Sequence, residues 1–373
     1  VITLSVIKAD VGSIGGHTKP TPEMLEAVQK QLNEAMRKGT VIDGMITHTG
    51  DDIAMIMSHT KGVGNTEIHI GVAWDAFIAA TNVAKEQGNY GAGQDLLVDA
   101  PSGNVRGAGP AVAEIEFDPL PSYRPAESFM VYAADKCAPG AYNLPLYLAF
   151  CDPMHNGGLL LSPLLHEGFT LTIIDMDAKD GDRIIKLDVP ERAWDVAALL
   201  RDMDRFAIEA IHSRAYPNEQ VVSVSATRLH NIAGKYTGKD DPIALVRNQG
   251  IFPAPEELIE PYFIGHFVTG DARGSHTMPL MPVAINTPVA GAFCLPIVSC
   301  VGFSMDGQGH FSKNYNDFFG DGSWDYTRLH VQQKAIEIRR QGFFGVAMAS
   351  QAEIAYTGLT DTMKKLDKEF NIR

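Results

Sequence analysis

The sequence is short of cysteine, short of positive charge and free of long apolar runs. Its four cysteines are Cys137, Cys151, Cys294 and Cys300, and none forms a C-x-x-C pair. That argues against a zinc ribbon or a disulfide framework and for reduced thiols in a cytoplasmic protein. The longest apolar stretch, "VAGAFCLPIVSCVGF", is broken by Pro296 and is too short to span a bilayer. The first residues, "VITLSVIKAD", lack the basic start and small-residue cleavage site of a signal peptide, so a cytoplasmic location and no membrane partner are expected. Lysine and arginine number 31 against 45 acids, a formal charge of −14. Nucleic acid is a poor partner for such a chain, because phosphates need a basic face. An anionic small molecule remains compatible if metal ions or local Lys and Arg invert the field. There are no repeats, low-complexity tracts or charged linkers. Length alone would allow two or three domains, but nothing marks a boundary, and one compact unit over residues 1–373 is expected.

What is present alternates between short β-branched runs and amphipathic stretches. "VITLSVIKAD" reads as a strand. Thr21 and Pro22 open a helix whose stripe is Leu25, Val28, Leu32 and Met36, and Gly39 closes it. "VIDGMITHT" and "IAMIMSHT" read as two strands around the acidic turn "GDD", and Asn65–Gly88 as a second amphipathic helix. The first ninety or so residues therefore read β-α-β-β-α. Further strands are predicted at "VAEIEF", "ESFMVYAA", "FTLTIIDM", "RIIKLDV" and "VVSVSATRL", and helices over 192–214, over 326–342 and from Ala352. Paired strands on short turns argue for mixed or antiparallel sheets, hence an α/β (α+β) sandwich with sheets inside and helices outside. Pro101–Pro110, Pro139–Pro163 and Ile251–Pro296 read as long loops, where sites are often built.

Acids recur at the ends of these strands. Asp10 ends the first, and His17 follows after "VGSIGG". Asp51 and Asp52 sit in the hairpin turn, Gln94 and Asp95 after "YGAG", Asp135 at the end of "FMVYAAD", and Asp240 and Asp241 after Lys239. Singly, each reads as a solvated turn acid or a helix cap. Together they share one format, an apolar strand and then an acid with glycines nearby. Oxygen ligands with at most one imidazole and no thiolate suit Mg²⁺ or Mn²⁺ rather than zinc. Several such carboxylates around more than one metal ion form the kind of site that serves phosphoryl chemistry. "PSGNVRGAGP", with Asn104 and Arg106 among glycines, could cradle a phosphate or be a plain turn, and Arg273 could fork onto one.

Lys239 stands beside two metal-type acids in "IAGKYTGKDDP". A nucleophilic lysine must be neutral, and carboxylates oppose that while burial or metal occupancy favours it. Such a lysine could form a Schiff base, with Tyr236 as a proton shuttle. The plainer alternative is a Lys–Asp surface pair.

"SVIKADVGSIGGH", "THTGDDIAMIMSHT", "GAGQDLL", "PSGNVRGAGP", "ADKCAPGAYNLPLY", "AGKYTGKDDP" and "RGSHTMPLMPV" together resemble the archaeal-type fructose-1,6-bisphosphate aldolase/phosphatase family, in order, from the first strand to Tyr356. The resemblance implies a four-layer α-β-β-α sandwich assembled as an octamer and a bifunctional gluconeogenic enzyme. Such an enzyme condenses dihydroxyacetone phosphate with glyceraldehyde 3-phosphate through a lysine Schiff base, then removes the 1-phosphate with Mg²⁺. It implies metal ligands at Asp10, His17, Asp51, Asp52, Gln94, Asp135, Asp240 and Asp241. Lys239 would carry the Schiff base, Tyr236 would move protons, and Tyr356 would serve at the sugar phosphate. Sugar-phosphate contacts would come from Tyr90, Gly103, Asn104, Lys136, Gln249 and Arg273, and from His17 reaching a neighbouring subunit. One departure stands out: Phe293-Cys294 precedes Leu295-Pro296 where the family has Phe-Asp before Gly-Pro, so an aspartate that contacts the sugar is absent. The resemblance also gives the 232–242 loop two states, hinged at Gly234 and Gly238, with Lys239 inward in one and Asp240 and Asp241 inward in the other. Two other readings compete: a monofunctional Mg²⁺-dependent sugar phosphatase, and a non-enzymatic divalent-cation-binding protein.

Overall fold

Helix α1, Pro22–Lys38, begins and ends where its sequence says it should. The Thr21 hydroxyl accepts from the Met24 amide, and Gly39 takes the left-handed conformation (φ +75°) that closes a helix without a Cβ penalty. The structure, a computed structural model, describes residues 1–96, 109–118, 126–178, 182–217, 219–225, 239–269, 277–292, 294–340 and 358–373.

Four strands form an antiparallel sheet: β1 (Ile2–Asp10), β2 (Asp43–Thr49), β3 (Asp52–His59) and β4 (Ala111–Phe117), in the order β2-β3-β1-β4. Helix α1 and helix α2 (Asp75–Glu86) cover one face. A π-helical turn, His69–Trp74, leads into α2, so the predicted Asn65–Gly88 helix forms with a change of pitch inside it. The β-α-β-β-α reading of this region holds.

Period-2 alternation sorts the strand residues. On β1, Ile7 and Ala9 face α1 and α2, while Leu4 and Val6 face the other way. On β3, Ile53, Met55 and Met57 face the helices and Ile56 faces away. The second face packs against a larger sheet built from β5 (Glu127–Asp135), β6 (Phe169–Asp175), β7 (Arg183–Val189), β8 (Phe206–Ser213), β9 (Gln220–Val224) and β10 (Ile243–Arg247). In that sheet β11 (Phe267–Thr269) and β12 (Thr277–Pro279) take no part, since they pair only with each other. β13 (Met281–Pro282), β14 (Ile297–Met305), β15 (Asn316–Asp317) and β16 (Asn371–Ile372) complete it, in the order β13-β14-β5-β10-β9-β8-β6-β7-β16 with β15 on β14.

Phe129 and Val131 of β5, Ile243 and Leu245 of β10, and Val301 and Phe303 of β14 meet the small sheet. The intervening residues, among them Met130, Tyr132, Ala244, Val246, Val298 and Cys300, face outward to a layer of helices. Those helices are α3 (Asn143–Cys151), α4 (Ala193–Leu200) and α6 (Leu359–Asp367). Helix α5 (Asp325–Arg340) packs Val331 and Ala335 on Met281 and Ile297. The result is helix, sheet, sheet, helix, the α/β sandwich that was expected. Burying one side chain the size of Phe129 between the sheets contributes roughly 1.5–3 kcal/mol.

Three expectations need correction. Ile251–Pro296 is not simply a long loop: it holds a short helix, Pro255–Ile259, a 3₁₀ turn, Glu260–Ile264, and the strands β11, β12 and β13. The stretch 192–214 is not one helix: it is α4, a turn, and then β8. Asn143 decides where the change falls. Its side-chain amide donates to the carbonyls of Leu200 (3.1 Å) and Phe206 (2.8 Å), and its Oδ1 accepts from the Ile208 amide. The proposed loop Pro139–Pro163 is largely helical, holding α3 and a short turn Gly158–Leu161. The region from Ala352 to 357, the end of "VVSVSATRL" beyond Ser225, and most of Pro101–Pro110 lie outside the described residues.

Candidate active site

Strand parity places the acids. Asp10 continues the Leu4–Val6 face of β1, Asp52 the Ile56 face of β3, and Asp135 the Phe129–Val131 face of β5; Asp241 stands two residues before Ile243. All four therefore fall on the space between the sheets. Register then brings them to one end of it. Asp10 pairs directly with Asp52, and the Ala134 amide bonds to Pro242 at the start of β10. The site is the open end of the sheet–sheet core, where apolar side chains give way to carboxylates.

Asp51, in the turn between β2 and β3, reaches across to β5. Lys136 donates to Asp51 and Asp135, at 2.9 Å each. His17 Nδ1 lies 3.1 Å from Asp51 Oδ2 and 3.3 Å from Asp10 Oδ2. Tyr90, exposed, meets the His17 ring edge-on with centroids 5.0 Å apart. Gln94 begins a short 3₁₀ turn, and its Oε1 and the His17 ring both lie against Gly91. Two groups of donor atoms are close enough to share an ion: Asp10, His17 and Asp51, and Asp51, Asp52 and Asp135. Asp135 Oδ2 is buried and has no hydrogen-bond partner among the described residues. A buried carboxylate oxygen left in that state fits a cation ligand.

Lys239 is buried, with Nζ 3.0 Å from Asp240 Oδ1 and 3.7 Å from Asp95 Oδ1. It is not a surface pair. Asp241 is held by two bonds to Cys137: its Oδ1 accepts from the Cys137 amide, and its own amide donates to the Cys137 carbonyl, 2.8 Å each. Lys239 and Asp241 thus both face the carboxylates, while residues 232–238 of that loop lie outside the described residues. Asp95, already among the acids after "YGAG", and Lys8, which was not singled out, also belong to the pocket. Lys8 is buried and ion-paired with Asp52. Asp95 is buried and accepts from the Asp10 amide. A lysine on the core-facing parity of "SVIKAD" and an acid next to Gln94 were the signals available for them.

Electrostatics follow from crowding. Two like charges about 4 Å apart repel by about 4 kcal/mol at an effective dielectric of about 20. The pocket holds Asp10, Asp51, Asp52, Asp95, Asp135, Asp240 and Asp241 against Lys8, Lys136, Lys239 and His17. Burial, and then Asp51, push Asp10 up to about 6 against the His17 hydrogen bond. Burial pushes Asp135 up to about 8, with Lys136 opposing. Burial likewise raises Asp95 and Asp241 well above the carboxylate range. Asp51 is the exception: burial would raise it, but hydrogen bonds from His17 and Lys136 hold it low. Bonds to Asp10 and Asp51 lift His17 to about 10. For Lys239, burial favours the neutral amine, but Asp240, Asp95, Asp241 and Asp52 outweigh it and raise its pKa.

The sign of the pH dependence follows. Asp135 (3.8 to about 8), Asp10 (3.8 to about 6) and His17 (6.5 to about 10) all hold protons more tightly in the folded chain. The folded state binds more protons across that span, so stability falls as pH rises through it. In chelator, the melting temperature is expected to drop from pH about 7 to 9, above the range in which His48, His59, His212 and His266, whose pKa burial lowers, pull the other way; a flat or rising profile there would contradict this ordering.

Gly50 makes the close approach possible. Its φ is +59°, and a Cβ there would lie 1.6 Å from Asp135 Oδ2. Gly50→Ala is expected to drive the Asp135 carboxylate aside and to weaken divalent-cation binding at least about tenfold, as read by calorimetry. Unchanged binding would show that Asp135 is not a ligand.

Other predicted residues lie elsewhere. Gln249 is exposed beyond the far end of β10, at φ +70°, so its own chain does not bring it to the carboxylates. Cys294 is half-buried at φ +51°, three residues before Ile297, the partner of Asp135 in the sheet. Tyr236, Tyr356, Gly103, Asn104, Arg106, Arg273, Gly234, Gly238 and Phe293 lie outside the described residues.

A carboxylate-lined pocket with hard oxygen donors and a buried lysine defines a site of the divalent-cation class. Residues 1–371 match the family described as fructose-1,6-bisphosphatase, and the chain belongs to that family. It is 52% identical to a Thermus thermophilus protein named fructose-1,6-bisphosphate aldolase/phosphatase, over 99% of each chain. Relatives of the same name come from Cenarchaeum symbiosum (44% identical) and Moorella thermoacetica (40%), each over 99% of this chain and 94% of theirs. No helix among the described residues is long and apolar enough to cross a membrane.

Proposed function

We propose that this protein is a bifunctional gluconeogenic enzyme in which one pocket performs two reactions. The first condenses dihydroxyacetone phosphate with glyceraldehyde 3-phosphate. The second hydrolyses the 1-phosphate of fructose 1,6-bisphosphate to give fructose 6-phosphate. The observation that carries this reading is the burial of Lys239 within 3.0 Å of Asp240 and 3.7 Å of Asp95, inside the carboxylate pocket. The names of the relatives support both activities.

In the condensation the Lys239 amine attacks the ketone carbonyl of dihydroxyacetone phosphate and water leaves, forming the Schiff base. Loss of a proton from the neighbouring carbon gives an enamine, which bonds to the aldehyde carbon. Tyr236 is the residue we assign to proton transfer, and hydrolysis then frees the lysine. Burial is the influence that favours a neutral Lys239. Neutralising Asp240, Asp95, Asp241 and Asp52 would leave burial to decide, so the amine becomes reactive when the pocket is charge-balanced.

Asp10, His17, Asp51, Asp52, Gln94, Asp135, Asp240 and Asp241 would hold several Mg²⁺ ions, with Mn²⁺ as a substitute. When bound, such ions stabilise charge on phosphoryl oxygens and make water a better nucleophile. The chain's own part is to orient them: Lys136 ties Asp51 to Asp135, and Cys137 fixes Asp241. Tyr90, Gly103, Asn104, Lys136, Gln249 and Arg273 would contact the sugar phosphates, and Tyr356 would serve the hydrolytic half. His17 would also reach substrate in a neighbouring subunit of an octamer, an assembly that rests on the resemblance alone. We place the enzyme in the cytoplasm, with residues 1–373 as one catalytic unit.

Incubation with both triose phosphates and Mg²⁺ is expected to release inorganic phosphate. Release from the bisphosphate alone would support the plain phosphatase instead. No turnover of either would leave a cation-binding protein.

A further inference from the structure

Lys8 has no part in the reactions described above, yet it is among the most deeply buried side chains of the protein, 1% exposed. A lysine is almost never buried to that extent without a partner. Its partner is Asp52, which stands diagonally across the β1–β3 pair: Asp10 is opposite Asp52, and Lys8 is opposite Ala54. Both point into the space between the sheets, so the ammonium forms the floor of the carboxylate pocket. The other cations are shared out differently. Lys136 takes Asp51 and Asp135, Lys239 takes Asp240 and Asp95, and His17 takes Asp10 and Asp51. Lys8 is the cation that pairs directly with Asp52, while Lys136 and Lys239 act on Asp52 from further away.

We propose that Lys8 is a built-in counter-ion that holds Asp52 in place when the pocket is metal-free and, by remaining there, limits how tightly the pocket binds divalent cations. Lys8 is a positioning residue, acting through Asp52 and through the charge it places beneath the pocket. This deepens the metal-pocket reading and rests on it.

Physical reasoning gives the direction. A positive charge under the site repels a second cation and occupies Asp52 Oδ2, so one ligand oxygen is already engaged. Removing the charge makes the pocket more negative, and divalent cations bind more tightly. It also leaves Asp52 buried among other carboxylates without a counter-ion, so the metal-free fold weakens. A lysine that only filled space would do neither.

The test uses full-length protein and Mg²⁺ alone, at pH about 8, with calorimetry for affinity and thermal melting for stability. Lys8→Met removes the charge. Lys8→Gln removes it but keeps a donor for Asp52. Both are expected to bind Mg²⁺ about tenfold more tightly than the native chain, and to gain more melting temperature on adding Mg²⁺ than it does. Equal or weaker affinity in a folded variant overturns the proposal. If both variants are unfolded without metal, Mg²⁺ is expected to restore the fold, and its failure to do so is equally fatal. Failure of the underlying reading looks different: the native protein itself would bind no Mg²⁺.

Discussion

Borohydride reduction in the presence of dihydroxyacetone phosphate is expected to fix the ligand's mass on a single peptide, the one that carries Lys239. Reduction turns a Schiff base into a secondary amine that survives digestion, so mass spectrometry locates the bond. The pocket holds three lysines, and only their surroundings separate them. Lys8 is committed to Asp52, and Lys136 bridges Asp51 and Asp135. Lys239 is buried beside Asp240 and Asp95, on the segment that leads into β10. Lys239→Met should lose the label and the condensation entirely. It should keep part of the hydrolytic activity, because Asp240 and Asp241 remain. Labelling should also fade as pH falls, since only the neutral amine attacks. A label on Lys8, on Lys136 or on nothing would end the bifunctional reading.

The second large effect concerns Asp135. Asp135→Asn keeps the shape of the side chain, and its buried Oδ2 position loses only charge and basicity. Phosphate release from fructose 1,6-bisphosphate should fall at least about a hundredfold, while the melting temperature in chelator holds or rises. The rise is expected because burial pushes Asp135 up to about 8, so near neutral pH folding must take up a proton there, a cost that asparagine does not carry. Asp52→Ala should also abolish hydrolysis, but with the opposite stability signature. It strands the Lys8 ammonium in the core, a change that costs about 3–5 kcal/mol. Full activity of either variant, or of the native protein in excess chelator, would remove the multi-metal hypothesis.

Much of the site was legible because it is built at strand ends. An acid at the end of an apolar strand says that the side chain sits where the core stops; Asp10 and Asp135 close β1 and β5 in this way, and Asp52 opens β3. Loop residues were less readable. Nothing local says that Gln249 lies at the far end of β10 from the carboxylates, because its neighbours in sequence are the same in either place. Lys8 was harder still. Its position on the core-facing parity of β1 argues only that it must be paired, and the partner is chosen by register with β3.

The β-α-β-β-α start, the capped helix α1 and the acids at strand ends were decided by the sequence itself. Each depends on neighbours within one turn or one strand: a hydroxyl before a proline, a left-handed glycine, or a side chain's parity. The tertiary structure decided the rest. Residues 192–214 keep an apolar pattern compatible with one helix, and Asn143 turns it into helix and strand by bonding Leu200 and Phe206 from another element. Burial of Lys239 and the pairing of Lys8 with Asp52 are decided in the same way, by groups far away in the chain. The physical reason is one of range. Backbone propensity and side-chain parity act over a few residues, whereas desolvation and Coulomb forces depend on which distant surfaces close together.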